Sequence, residues 1–222
     1  MAAKHNSLQK ILLCFPTKTR KYPRLVISEF FWAYDLSEHR WYIDTWMDSV
    51  NHNDYWKGNV PSDLLLYYES LKELINASYI LIKEEKKRKT ALDILDEKGL
   101  DAEKNLLHPA LYFGQQPYGT IWDFFPRSLN KKEYIDPYLA VRQFFKFEPL
   151  EKWHDRLHDL LIDGLTGYEN REYPIEGIDL SFIRKNLHKL IEATHLIDVR
   201  ETDKIAGKFP KEKLYTLDNP YP

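Results

Sequence analysis

The chain contains the same stretch of sequence twice. From Pro23 it reads PRLVISEFFWAYDLSEHRWYIDTWMDSV, and from Pro137 it reads PYLAVRQFFKFEPLEKWHDRLHDLLIDG. Pro23 matches Pro137, Leu25 matches Leu139, Phe30 and Phe31 match Phe144 and Phe145, and Leu36 matches Leu150. Ile43 and Met47 fall opposite Leu157 and Leu161, keeping the apolar class. A second block follows in the same order, LKELINASYIL from Leu71 against LHKLIEATHLI from Leu187, with two residues gained in between. One such match means little, because Leu and Ile recur at helical spacing in any amphipathic helix. Two blocks in order, with the proline start and the double Phe kept, point to a duplicated and fused helical unit.

Each copy decomposes in the same way. A proline, harmless in a first helical turn where its missing N–H has no partner to lose, opens a short helix ending in the Phe pair. A second helix runs from about Leu36 to Val50, and from about Leu150 to Leu165. In the later copy Leu150, Trp153, Leu157, Leu160 and Leu161 share one face, with Asp155, Asp159 and Asp163 opposite. A polar loop leads to a long helix, with Ser62 or Asp63, and Asp179, as its N-cap residue types. Along it Leu71, Leu74, Ile75 and Ser78 form a stripe, as do Leu187, Leu190, Ile191 and Thr194, with the small Ala77 and Ala193 at matching places. Each copy reads as a helical hairpin with a short leader helix.

A hairpin with a broad apolar stripe cannot stand alone, and two of them stacked together cover each other. The predicted fold is all-α: one domain over 1–222, a bundle of two tandem helical-hairpin units with approximate internal two-fold symmetry. Repeat 1 spans about 23–85 and repeat 2 about 137–201. Between them, 86–136 holds a charged stretch and an aromatic connector. The charged stretch reads as a solvated helical extension with a thin stripe at Leu92 and Leu95, closed by Gly99. From His108 to Asn130 the chain mixes Gly and Pro with aromatics, too broken for a helix and too apolar for a free linker; it should lie against the bundle. The tail, 202–222, reads as extended.

Composition excludes some classes. The net charge of −2 provides no global field toward nucleic acid or anionic membrane. In the basic run Lys86, Lys87, Arg88 and Lys89, acidic residues on both sides cancel the charge, leaving a solvated helix face. Cys14 is the single cysteine, so an intramolecular disulfide or an all-Cys metal cluster is excluded, and it reads as a small buried residue in a reducing compartment. The apolar run Ile11 to Phe15, closed by Pro16, is too short for a signal core or a membrane span, so the expected location is cytoplasmic.

Three groups of residues are candidates for chemistry or binding. His154 and His158 stand one helical turn apart and could share a metal, with His188 and His195 as further ligands. Their counterparts in the first copy are Arg40, Asp44, Lys72 and Tyr79, so no metal site is duplicated, and boundary histidines are the preferred reading. Arg184-Lys-Asn-Leu-His188 resembles the Arg-to-His motif of the small helical ribonucleases called HEPN, which separate the pair by four to six residues rather than three. The resemblance implies RNA cleavage by Arg184 and His188; otherwise they are members of surface ion pairs. Tyr112, Phe113, Tyr118, Trp122, Phe124 and Phe125 form the candidate binding surface, since aromatics on Gly/Pro loops supply rigid contact area. No Gly-rich phosphate loop, GxSxG, HExxH, CxxC or EF-hand pattern is present. The reading is a non-catalytic interaction or regulatory protein, acting through protein partners or self-association, with no cofactor. The alternative is a helical-bundle enzyme with a His-based metal site or RNA-cleaving activity.

Overall fold

A computed structural model describes residues 15–51, 55–84, 89–113, 120–166 and 179–205, with side chains as far as Glu201. Cys14, Lys86, Lys87, Arg88, Tyr118, most of the later polar loop and the tail beyond Ile205 lie outside the described residues. Within them the regular elements are all helical: α1 (Thr17–Lys21), α2 (Pro23–Ala33), α3 (Leu36–Asn51), α4 (Pro61–Lys83), α5 (Ala91–Glu97), α6 (Ala102–Asn105), α7 (Lys131–Ile135), α8 (Tyr138–Phe147), α9 (Leu150–Thr166) and α10 (Leu180–Ile205), with a 3-10 turn at Pro109–Leu111. None of these helices is long and apolar enough to cross a membrane.

Helix boundaries follow local chemistry. Pro23 opens α2 in its first turn, whereas Pro137 sits just before α8 as its cap. Asp179 accepts from the Phe182 N–H at 3.0 Å and caps α10. The expected Ser62 or Asp63 cap on α4 is replaced by a proline start: Pro61 takes the first turn after Val60, with no side-chain cap. The charged stretch is not an extension of α4. It forms the separate α5, because Thr90 and Asp93 build a capping box that starts a new helix. Gly99, at φ 65°, ends that segment in the left-handed region, which costs glycine little. Ala91 and Leu95 of α5 are buried, while Leu92 faces solvent.

The short helix of each unit packs on the long helix of the same unit, α2 on α4 and α8 on α10. The second helix of each stretch is placed differently: α3 touches α4 only lightly and lies chiefly on α10, while α9 lies on α4. α3 and α9 also touch one another. The simple hairpin expected from sequence is therefore an exchanged packing. An apolar stripe fixes that a helix must be covered, but not by whom.

The stripes are buried as their spacing predicts: Leu71, Leu74, Ile75, Ser78 and Ala77 on α4, and Leu187, Leu190, Ile191, Thr194 and Ala193 on α10. At the centre the Trp46 indole donates to the Leu160 carbonyl at 3.0 Å, its own match 114 residues on. Asp163 is buried rather than on the outer face of α9. Beside it, Gly164 lets Leu64 and Trp46 come within 3.0 Å of where a Cβ would stand, drawing this turn inward.

Side-chain contacts recur at matched positions. His39 stacks on Phe30 at 3.8 Å and donates to its carbonyl, while Trp153 stacks on Phe144 at 4.0 Å and does the same. Phe31 meets His195 at 5.0 Å, and Phe145 meets Tyr79 at 5.2 Å. Of the two five-residue helices, α1 packs on α2 and α4, and α7 packs on α8 and α10. Thr19 of α1 donates to Glu73, and at the matching places Lys189 donates to Glu133 of α7 at 2.7 and 2.8 Å.

Candidate functional site

α3 and α10 run side by side with charged residues facing each other at one-turn intervals. Arg40 pairs with Glu192, Asp44 with His188, and Asp48 with Arg184. The first pair is buried and the last is solvent-facing. Arg40 Nε and Nη2 donate to Glu192 Oε1 at 3.0 and 2.7 Å. The pair survives burial because its remaining donors and acceptors are used. Arg40 Nη1 donates to the Asp123 carbonyl at 2.7 Å, Nη2 donates to the Phe125 carbonyl at 2.8 Å, and the Ser128 N–H donates to Glu192 Oε2 at 2.6 Å.

These bonds fasten the aromatic connector to α3 and α10. A second buried arginine, Arg200 on α10, holds the two ends of the connector: Nε donates to the Leu111 carbonyl at 2.8 Å and Nη1 to the Tyr134 carbonyl at 2.7 Å. Its guanidinium stands 4.8 Å over the Tyr134 ring, and burial pulls its pKa down to about 10, still charged at neutral pH.

The connector's aromatics divide by depth. Tyr112 and Phe124 are buried, and Phe113 and Phe125 pack on the core edge. Trp122 is 69% exposed. A turn holds it there: the Thr120 N–H and hydroxyl both donate to Asp123 Oδ2, at 2.7 and 3.0 Å, and the Asp123 N–H returns to the Thr120 carbonyl. Ile121 and Arg127 are exposed beside it, and Arg127 Nη2 donates to the Trp122 carbonyl at 3.3 Å.

The four candidate metal-binding histidines take separate partners. His154 on α9 bonds Asn76 of α4 at 2.8 Å, His158 is exposed, His188 donates to Asp44 at 2.8 Å, and His195 is buried between Phe31 and Phe124. No group of three potential ligands converges among the described residues. Arg184 and His188, the candidate RNA-cleaving pair, both turn toward the carboxylates of α3. Burial pushes the Asp44 carboxyl up, but the hydrogen bond and charge of His188, with Arg184 and Arg40 nearby, hold it below its usual range.

Sequence reasoning passed over Arg40, Glu192 and Arg200 as site residues. The signal was present in Glu192, a charge set among Leu190, Ile191 and Ala193 in a stripe otherwise apolar, and in its match Asn76. It also passed over a small niche lined by Arg24, Ile27, Ile197, Asp198 and Glu201, where Ser28 donates to Asp198, whose carboxyl burial pushes up to about 6.

No family model matches the chain, and neither a curated protein nor a solved structure matches it.

Proposed function

We propose that the chain is a non-catalytic interaction protein, two fused copies of one helical unit related by an approximate two-fold, that presents Trp122 to a protein partner. The observation that carries this is Trp122 itself, a large apolar ring left in water on a loop whose neighbouring carbonyls are pinned by Arg40. An isolated exposed aromatic means little. A rigidly held Trp flanked by Ile121 and Arg127 has the composition of an interface hot spot, and ordering it on binding costs little entropy. The polar seam under the loop has its charges satisfied in pairs, which fits a mount better than a reacting centre.

The exchanged packing supports the duplication: α2 on α4 mirrors α8 on α10, α3 on α10 mirrors α9 on α4, and the ring contacts repeat at matched positions. Cutting the chain at Gly99 tests this part. Neither fragment should fold alone, and mixing them should restore the bundle. Two independently folded monomers would overturn it.

The binding part is tested with a photo-crosslinking amino acid at position 122 in the producing cell. A discrete adduct with one protein, or with a second copy of the chain, is expected, and Trp122→Ala should abolish binding of that protein with the thermal midpoint unchanged. Absence of any adduct, or RNA cleavage by the purified chain that is lost in His188→Ala, would overturn the reading.

A further inference from the structure

The charges that the connector turns to solvent around Trp122 are of one sign. From Thr120 to Lys132 the chain carries Arg127, Lys131 and Lys132 against a single carboxylate, Asp123. Asp123 is engaged within its own loop, where the Thr120 N–H and hydroxyl hold its carboxyl below the usual range. The next two carboxylates along the chain are also taken. Glu133 is buried and accepts from Lys189 and the Asn130 N–H, while Asp136 accepts from the Tyr138 N–H and pairs with Arg142. On α5, which packs on α7, Asp93 is held in the Thr90 cap and Glu97 pairs with Lys89 at 2.7 Å, so that exposed Asp96 offsets one cation at most. Arg127, Lys131 and Lys132 are exposed and make no ion pair among the described residues.

We propose that the Trp122 face takes an acidic segment of a partner protein, which lays an apolar side chain on Trp122 and Ile121 and sets carboxylates against Arg127, Lys131 and Lys132. This deepens the reading of Trp122 as a binding anchor and rests on it. Arg127 sets the scale of the site. Its guanidinium donates to the Trp122 carbonyl at 3.3 Å. Lys132 follows five residues later, at most about 18 Å away along the chain. An extended segment of about six residues covers that length. Cations grouped beside an anchoring ring steer an acidic partner in and repel a basic one, so the ring supplies affinity and the charges supply choice.

A nucleic acid fits this face less well. Three cations suffice for a short acidic segment, but the net charge of −2 gives the chain no wider field to hold a long polyanion. Ile121, exposed beside the ring, offers an aliphatic contact rather than a second plane for base stacking.

The test places a photo-crosslinking amino acid at position 121 of the full chain, leaving Trp122 in place, and irradiates it in a lysate of the producing cell. Added poly-glutamate should suppress the adduct about tenfold, while poly-lysine should leave it intact. Arg127→Glu combined with Lys131→Glu and Lys132→Glu should lower the yield to a similar degree with the thermal midpoint unchanged. The crosslinked partner peptide should carry net negative charge, read by mass spectrometry. An adduct undiminished by poly-glutamate overturns the acidic partner and leaves Trp122 as an anchor. That competition uses the unaltered charges, so it decides the matter even where the triple variant does not fold. A nuclease-sensitive adduct overturns the proposal in favour of nucleic acid. Absence of any adduct defeats the anchor reading beneath it.

Discussion

Arg40 and Glu192 place a full positive and a full negative charge inside the molecule, and neither is stable there without the other. Removing one leaves a buried, uncompensated ion, so Arg40→Met should cost about 3–5 kcal/mol in urea denaturation. Replacing both with Met should recover most of that loss, because an apolar pair of similar volume avoids desolvating two ions. The double variant should still release the connector, measured as faster proteolysis within residues 120–130. At the same scale, burial pushes the imidazoles of His39 and His195 down to about 3. The unfolded chain takes up protons near pH 6.5 that the fold refuses, so their contribution is complete above that pH and is lost as the pH falls. Asp198, pushed up to about 6, works in the opposite sense between pH 6 and its ordinary carboxylate range. Two histidines over a wider window outweigh one carboxyl. The urea midpoint should therefore fall between pH 7.5 and pH 5, with an upper bound of about 2 kcal/mol per histidine at pH 5.

Among the elements, α9 lies tight against α3 and α4 at Gly164. Alanine is normally the better helix former, yet here its Cβ would stand 3.0 Å from both Leu64 Cδ2 and Trp46 Nε1. Gly164→Ala should cost about 1–3 kcal/mol through overpacking, seen as a lower thermal midpoint. This close approach was not legible in the sequence, although the helix around it was. The limits of α3 and α9 fall within a residue or so of those expected, because apolar spacing and the turns before Leu36 and Leu150 mark them. The cap of α4 was misplaced because Pro61 competes with Ser62 and Asp63 for the same role. The exchange of α3 and α9 was hidden for a different reason: Leu157 and Leu161 make the same stripe whichever long helix covers it. The connector's path was hidden too, since Arg40 and Arg200 seize main-chain carbonyls, which are present at every residue. Only Glu192 among apolar neighbours hinted at it.

For the whole molecule, α3 packs on α10 and α9 packs on α4, so the two long helices share one core. Leu71→Ala, in α4, should cost about 2–5 kcal/mol. The loss should spread: hydrogen exchange at the amides of Leu190 to Ala193 in α10 should accelerate as much as at Leu74 to Ala77 in α4, measured by mass spectrometry. Protection retained in α10 alone would mean that the units unfold separately. The connector clamp has a further consequence at this scale. Arg40 and Arg200 grip carbonyl oxygens, and Tyr112, Phe124 and the Thr120–Asp123 turn fix the rest of the loop's route, so that route does not depend on the exposed side chains of Ile121 and Trp122. Substitutions at Ile121, Trp122 and Arg127 can accumulate without disturbing the mount, so a lineage can change the exposed surface of the loop while inheriting the frame intact. A library randomised at these three positions should yield mostly folded members. The fold behaves as a chassis with a replaceable face.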